Sequence, residues 1–311
     1  MVVAHQPVMV DEVLRFLITN PEGTYVDGTV GTGGHSLSIA RSLAQNGRLI
    51  GLDVDQAALA IARERLSRYA EKATLLTESY VNIDTIVRER GLEGVNGMLL
   101  DLGISSYQLE SSGRGFSFSR DEPLDMRMDQ QKGIDAGELL NTSSMEELQE
   151  ILWNYGQERW AKRIARAIAE ERKNKPVRTT LQLARIVEHT IPARYYPPKI
   201  HPATRVFQAV RIAVNRELEN LAEFLTVVPS VLVKGGRLVV ISYHSLEDKL
   251  VKQAMLQWEG KQVHPRRLPV KHTDGQPTMM AVRKKGLKPS QAEMDQNPRS
   301  RSAVMRVAER V

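Results

Sequence analysis

Three aspartates, Asp27, Asp53 and Asp101, each stand where a short apolar run gives way to a turn. Asp27 is followed by a glycine cluster, Gly31-Thr-Gly-Gly34, and then by a helical pattern carried by Leu37, Ile39, Ala40 and Leu43. A strand, a glycine turn and a helix make a nucleotide-type cofactor site. Glycine lets the backbone come close, and a helix N-terminus offers free N–H groups. A turn needing glycine only for packing would leave the same cluster, and Gly31-x-Gly33-x-x-Ser36 is a rough dinucleotide fingerprint. Asp53 lies 20 residues after Gly33, at the end of the second strand, where a carboxylate accepts hydrogen bonds from ribose hydroxyls. Asp27 lies four residues before Gly31; a carboxylate there repels a pyrophosphate but suits a cofactor bearing an ammonium and a sulfonium. The pattern therefore favours S-adenosylmethionine over a nicotinamide dinucleotide.

These residues need a sheet to hold them. Residues 24–30, 48–53, 73–77 and 97–101 read as short buried strands, with helices at about 56–69 and 82–90 between them. Strand–helix alternation with short loops predicts a doubly wound parallel sheet. The alternation stops at about residue 104. A loop-like stretch to 134 gives way to helical patterns, among them a capping box at Ser144-Met-Glu-Glu147, a helix over 157–173 and another over 180–191. Arg-Tyr-Tyr-Pro-Pro-Lys at 194–199 reads as a linker, and a long helix follows from about 202 to 225. Sheet strands resume at 237–242, with two more at 279–284 and 303–308 joined by a polar loop. The expected class is α/β, a Rossmann-like sheet with an inserted helical domain. Residues 1–103 and 201–311 would form the sheet domain and 104–200 the insertion.

Composition narrows the chemistry. The 311 residues are 41% hydrophobic and contain no cysteine. That excludes a thiolate zinc site, an iron–sulfur cluster and a cysteine nucleophile, and no other metal site is expected. The apolar runs are too short and interrupted to span a bilayer, and Asp11, Glu12 and Arg15 break any signal-peptide pattern, so a cytoplasmic protein with no membrane partner is expected. The formal charge of +6 hides an asymmetry. Residues 1–157 carry 13 Lys+Arg against 23 Asp+Glu, whereas 158–220 carry 14 against 6 and 261–311 carry 12 against 4. Two basic blocks suit a polyanionic partner, although solvated helix faces would give similar counts.

Several longer motifs occur in order. They are Asp-Gly-Thr-Val-Gly-Thr-Gly-Gly-His-Ser (27–36), Leu-Leu-Asp-Leu-Gly-Ile-Ser-Ser (99–106), Arg-Gly-Phe-Ser-Phe (114–118) and Leu-Asp-Met-Arg-Met-Asp (124–129). His-Pro-Ala-Thr-Arg-Val-Phe-Gln-Ala-Val-Arg-Ile (201–212) and Ser-Tyr-His-Ser-Leu-Glu-Asp (242–248) follow. Over nearly its whole length the chain resembles the bacterial 16S ribosomal RNA cytosine-N4 methyltransferases, the RsmH or MraW family. Thr29 is the one departure from the general first methyltransferase motif, which usually has a further glycine there. The resemblance implies a methyltransferase sheet, S-adenosylmethionine as cofactor, and a cytosine of the 16S ribosomal RNA decoding region as substrate, within the small ribosomal subunit. It places cofactor contacts on Gly33, Gly34, His35, Asp53, Tyr80, Asp101 and Gln108. Similar proteins tend to carry phenylalanine near Tyr80; either ring could stack on adenine. His35 is expected to give only its backbone N–H.

Without cysteine, cytosine C5 chemistry through a ring adduct and radical methylation are both closed. Direct in-line transfer to nitrogen or oxygen remains, governed by positioning and electrostatics. An exocyclic amine needs an acceptor to localise its lone pair. Asp101-Leu-Gly-Ile-Ser-Ser-Tyr107 lacks the proline pair of many amine methyltransferases, so the acceptor is assigned to Asp101 itself, through its carboxylate or adjoining carbonyls. His244, in a loop after a parallel strand, is the second catalytic candidate, with a loop-orienting role as its alternative. Arg205, Gln208, Arg211 and Asn215 share one helix side, which suits either phosphates and base edges or an ordinary polar helix face; the resemblance favours the first and so assigns Arg205, Arg211 and Asn215 to RNA. Arg159, Lys162, Arg163 and Arg166, with Arg266, Arg267 and Arg283 to Lys285, would add salt-sensitive affinity. A nicotinamide dehydrogenase and a non-catalytic RNA-binding relic of the fold are the rival readings. Oligomeric state stays open, a homodimer being one alternative.

Overall fold

The computed structural model describes residues 7–197, 200–261 and 276–311. Two compact units divide the chain, one formed by Met1–Gly103 with Leu218–Val311 and the other by Ile104–Glu217.

The first unit opens with α1 (Val10–Leu17) and then alternates β1 (Thr24–Asp27), α2 (Gly34–Ser42), β2 (Arg48–Asp53), α3 (Gln56–Arg65), β3 (Ala73–Thr77), α4 (Ile83–Glu89) and β4 (Val95–Asp101). The sheet order is β3-β2-β1-β4-β5-β7-β6, where β5 is Leu232–Ser242, β6 Met279–Ala281 and β7 Val304–Arg310. Strands β1 to β5 run parallel, and β7 lies antiparallel to both β5 and β6. Both faces are covered, which is why the strands read as unbroken apolar runs rather than alternating ones. On one face Val26, Leu52, Met98, Leu100 and Val240 pack with residues of α4, of α11 (Glu217–Val231) and of α12 (Ser245–Trp258); on the other Tyr25, Leu49, Leu99, Val239 and Ile241 pack with α1, α2 and α3. The order reverses between β1 and β4, and a crevice opens beyond the carboxyl ends of strands at such a reversal. Asp27, Asp53 and Asp101 end β1, β2 and β4.

The second unit holds α5 (Ser106–Glu110), α6 (Ala136–Thr142), α7 (Met145–Asn154), α8 (Ala161–Asn174), α9 (Thr180–Thr190) and α10 (Thr204–Asn215). It has its own core, in which Leu148, Leu152, Ile164, Ile168, Leu183, Phe207 and Val210 are buried. The capping box expected at Ser144 is present, with the Glu147 N–H donating to Ser144 Oγ at 3.1 Å and the Ser144 N–H to Glu147 Oε2 at 2.7 Å.

One expectation fails here. The long helix over 202–225 is two helices, α10 and α11 (Glu217–Val231), broken at Arg216, whose φ is 51°. Apolar residues keep helical spacing across the break, so periodicity did not reveal it. The corner is held by polar groups instead. Arg211 pairs bidentately with Glu217 at 2.8 and 2.9 Å. Asn215 accepts from the Met128 N–H and donates to the Met126 carbonyl, each at 2.8 Å. The helical unit therefore extends to 217 rather than 200, and α10 belongs to it. After β5 come α12 (Ser245–Trp258), β6, a short α13 (Gln291–Gln296) in the expected polar loop, and β7. Among the described residues no helix is long and apolar enough to cross a membrane.

Candidate functional site

The glycine turn after β1 is built by left-handed backbone. Gly31 has φ 51° and Gly33 φ 84°, and a Cβ at Gly33 would lie 2.8 Å from Leu66 and 3.1 Å from Ala62 of α3. Only glycine fits that second position. Asp27 is fully buried beneath the turn. Its Oδ2 accepts from the Ser36 hydroxyl at 2.5 Å and its Oδ1 from the Thr29 N–H at 3.1 Å. Burial pushes the Asp27 carboxyl above its ordinary range, against the opposing pull of Ser36 and of the His35 charge. Asp27 thus braces the turn from within.

Asp53 receives the Gly31 N–H on Oδ2 at 2.6 Å and the Asp55 N–H on Oδ1 at 2.9 Å. Burial raises its pKa to about 6, although both backbone donors favour the charged form. Each oxygen keeps a lone pair for a further donor, so a ribose hydroxyl could be received there. Tyr80 lies in the short turn Tyr80–Asn82 that follows β3. Its Cβ is 3.1 Å from where a Cβ on Gly28 would stand, and its ring meets Phe224 of α11 edge-on, with centroids 5.4 Å apart. The structure therefore brings Tyr80 to the loop after β1.

Asp101 is anchored on three sides. Its N–H donates to Thr29 Oγ1 at 2.7 Å, its Oδ1 accepts from the Tyr243 hydroxyl at 2.8 Å, and its Oδ2 lies 3.4 Å from His35 Nε2. Thr29, the one departure from the motif, therefore ties the end of β4 to the glycine turn. The His35 imidazole is 6% exposed, and among the described residues neither ring nitrogen has a hydrogen-bond partner. Its contact with Asp101 is electrostatic rather than a well-aligned hydrogen bond. Burial disfavours the imidazolium, but Asp101 and Asp27 outweigh it and leave the His35 pKa raised. The expectation that His35 offers only its backbone is thus too narrow, because the ring itself faces Asp101.

His244 stands in the loop-orienting position that was the alternative to a catalytic one. It is the N-cap of α12, its Nδ1 accepting from the Glu247 N–H at 3.4 Å while Nε2 lies 3.1 Å from Glu247 Oε1. Among the described residues no hydrogen bond joins it to Asp101; the neighbouring Tyr243 makes that bond. The register of the sheet sets this, since Asp101 pairs with Ile241, two residues before Tyr243. Gln108 is also engaged, its Oε1 accepting from the Ser105 N–H at 2.9 Å in the capping box of α5, within the helical unit. Arg211 and Asn215 hold the corner at Arg216, whereas Arg205 on the same helix is exposed. Arg266 and Arg267 lie outside the described residues; Arg283 to Lys285 are described and exposed.

The site fits a cationic cofactor. Three carboxylates end adjacent strands at the sheet's reversal, and residues 27–36 include no lysine or arginine to meet a pyrophosphate. Arg65 reaches the loop but donates to the Thr32 carbonyl at 3.4 Å. Gly33, Gly34, Asp53 and Tyr80 would hold the nucleoside side of the cofactor, and the Asp101 carboxylate would face its charged end, with Asp27 bracing the turn from beneath. The fold and this site define an S-adenosylmethionine-dependent methyltransferase.

Comparison with known proteins takes the assignment further. The model of the MraW methylase family matches residues 2–311, and the chain belongs to that family. It is 47% identical over 309 residues to the ribosomal RNA small subunit methyltransferase H of Coxiella burnetii, covering 99% of each chain. Proteins with the same name from Geotalea uraniireducens and Citrifermentans bemidjiense are each 44% identical over 307 residues, covering 99% of this chain and 98% of theirs.

Proposed function

We propose that this methyltransferase acts in the cytoplasm on the N4 exocyclic amine of a cytosine in the decoding region of 16S ribosomal RNA, with Asp101 as the group that receives the amine. The observation that carries the reading is the setting of Asp101, fixed by Thr29, Tyr243 and His35 at the reversal of the sheet. The names of its relatives support ribosomal RNA of the small subunit as the substrate.

S-adenosylmethionine supplies, when bound, an electrophilic methyl group on a sulfonium. The chain's own residues must make a poor nucleophile competent. A cytosine amine delocalises its lone pair into the ring. A carboxylate accepting one of its N–H bonds turns the lone pair out of conjugation and fixes its direction. Asp101 can do this with the lone pairs left free by Tyr243 and His35. Once the amine nitrogen has gained a methyl group and a positive charge, its surplus proton passes to an Asp101 carboxylate oxygen. His35, in its cationic form, balances the negative charge of Asp101 and Asp27 beforehand. Tyr243 holds Asp101 Oδ1 so that the carboxylate cannot rotate. Arg205 and the other exposed cations of the helical unit supply phosphate contacts.

Transfer from labelled S-adenosylmethionine to isolated small subunits and to free 16S ribosomal RNA, followed by nucleoside digestion, tests this reading. Label in N4-methylcytidine is expected. Label only in another nucleoside would refute the target atom, and no transfer to either substrate would refute the RNA reading.

A further inference from the structure

Around the start of α8 the helical unit presents two aromatic rings set among arginines. Trp160 caps the helix, and Tyr195 lies in the turn Ala193–Tyr195, with ring centroids 5.3 Å apart at an interplanar angle of 47°. The Arg159 guanidinium carbon stands 5.7 Å from the Trp160 centroid and 5.1 Å from that of Tyr195. Arg163 stands 5.1 Å from Trp160, and Arg194 stands 4.8 Å from Tyr195.

Two features of this cluster are costly without a ligand. Tyr195 is 39% exposed, although an aromatic ring gains most by burial. The first turn of α8 has no acidic residue but carries Lys162 and Arg163, where the helix dipole disfavours positive charge. The nearby carboxylate, Glu158, is turned inward and accepts the Trp160 N–H at 2.8 Å. Among the described residues, Arg159, Lys162, Arg163, Arg166 and Arg194 make no ion pair, and all five are exposed. Arg159 donates to the Tyr195 carbonyl at 3.3 Å, which fixes the turn against the helix. An aromatic pair flanked by unpaired guanidiniums matches single-stranded nucleic acid. Bases stack on rings and on planar guanidiniums, while the cations take the phosphates. An acidic peptide would satisfy the charges but need bring no planar group to stack on the cluster.

We propose that Trp160 and Tyr195, with Arg159, Arg163 and Arg194, form a stacking platform for an unpaired base of the RNA substrate, and that Lys162 and Arg166 extend it along the flanking phosphates. The proposal rests on the RNA reading above and adds where and how single-stranded RNA is held.

The test uses the full chain, a fluorescein-labelled twelve-nucleotide single strand and the duplex of the same sequence, with binding followed by anisotropy over a range of salt. Tyr195→Ala should weaken the single strand by roughly tenfold and leave the salt slope unchanged, because a stacked base rather than a phosphate is lost. K162E/R166E should weaken binding and flatten the slope by about 1.4 or more, since each phosphate contact on a single strand contributes roughly 0.7. Duplex binding should respond to K162E/R166E and not to Tyr195→Ala. Unchanged single-strand affinity in Tyr195→Ala would overturn the platform, as would equal losses on strand and duplex. So would an acidic peptide that binds this face as tightly as the single strand. Methyl transfer to small subunits by the unaltered protein is measured alongside. If it occurs and Tyr195→Ala leaves the RNA KM unchanged, the platform alone fails; if it is absent, the RNA reading fails.

Discussion

The Tyr243 hydroxyl donates to Asp101 Oδ1 at 2.8 Å, and so joins the end of β5 to the carboxylate that ends β4. Burial, reinforced by the Asp101 charge, pushes the phenol pKa well up, so Tyr243 stays a donor throughout the working pH range. Tyr243→Phe removes that donor and keeps the ring. Hydrogen bonds to charged groups contribute about 1.5–3 kcal/mol, so kcat should fall about 10–100-fold while the cofactor KM changes little. Steady-state kinetics check this; a KM effect with unchanged kcat would make Tyr243 a binding residue rather than one that positions Asp101.

Asp53 should impose a pH dependence on cofactor binding. Its carboxyl titrates at about 6 in the folded protein, and only the ionised form can accept from both its backbone donors and a ribose. A raised carboxyl pKa means the folded state takes up its proton as pH falls through that value. Affinity for S-adenosylhomocysteine should therefore rise from pH 5 to pH 7 and level off above, as measured by calorimetry. Asp53→Asn should bind weakly at every pH, without the step centred near 6.

Thr29 should matter to both stability and chemistry. Thr29→Val keeps the side-chain shape but leaves the Asp101 N–H without its acceptor at 2.7 Å. A buried donor left unpaired costs about 1–3 kcal/mol. Thermal denaturation should show a drop of several degrees, about 2–4 °C per kcal/mol for a chain of this size class, and kcat should fall with it.

Much of the sheet was legible because both faces of its strands are buried, which writes each strand as a short apolar run ended by a turn. The three strand-end aspartates were legible for the same reason. Tyr243 and Thr29 were not, because each acts through a contact 142 or 72 residues away in sequence. The break at Arg216 was hidden because apolar spacing continues through it, while the residues that fix it, Arg211 and Asn215, resemble an RNA-facing stripe. For His244, type and place left catalysis and loop orientation both open, and only the structure shows it capping the first turn of its own helix.

That hidden corner gives a separable prediction. Asn215→Ala removes the partner of both the Met128 N–H and the Met126 carbonyl and should cost about 1–3 kcal/mol of stability. Arg205→Ala, at an exposed position, should leave stability within about 0.5 kcal/mol and weaken RNA binding with a smaller salt slope. Chemical denaturation and RNA titration on the two variants separate the roles. Reversed effects would return Asn215 to the RNA contact and make Arg205 structural.

The most direct test of the central claim is nucleoside mass spectrometry of 16S ribosomal RNA from a strain lacking this protein, complemented with the wild-type chain or with Asp101→Asn. Loss of the N4-methyl group from a decoding-region cytidine on deletion, its return with the wild type, and its absence or strong reduction with Asp101→Asn is the predicted result. An unchanged cytidine in the deletion strain would contradict the assigned reaction, and full restoration by Asp101→Asn would contradict the assigned proton acceptor.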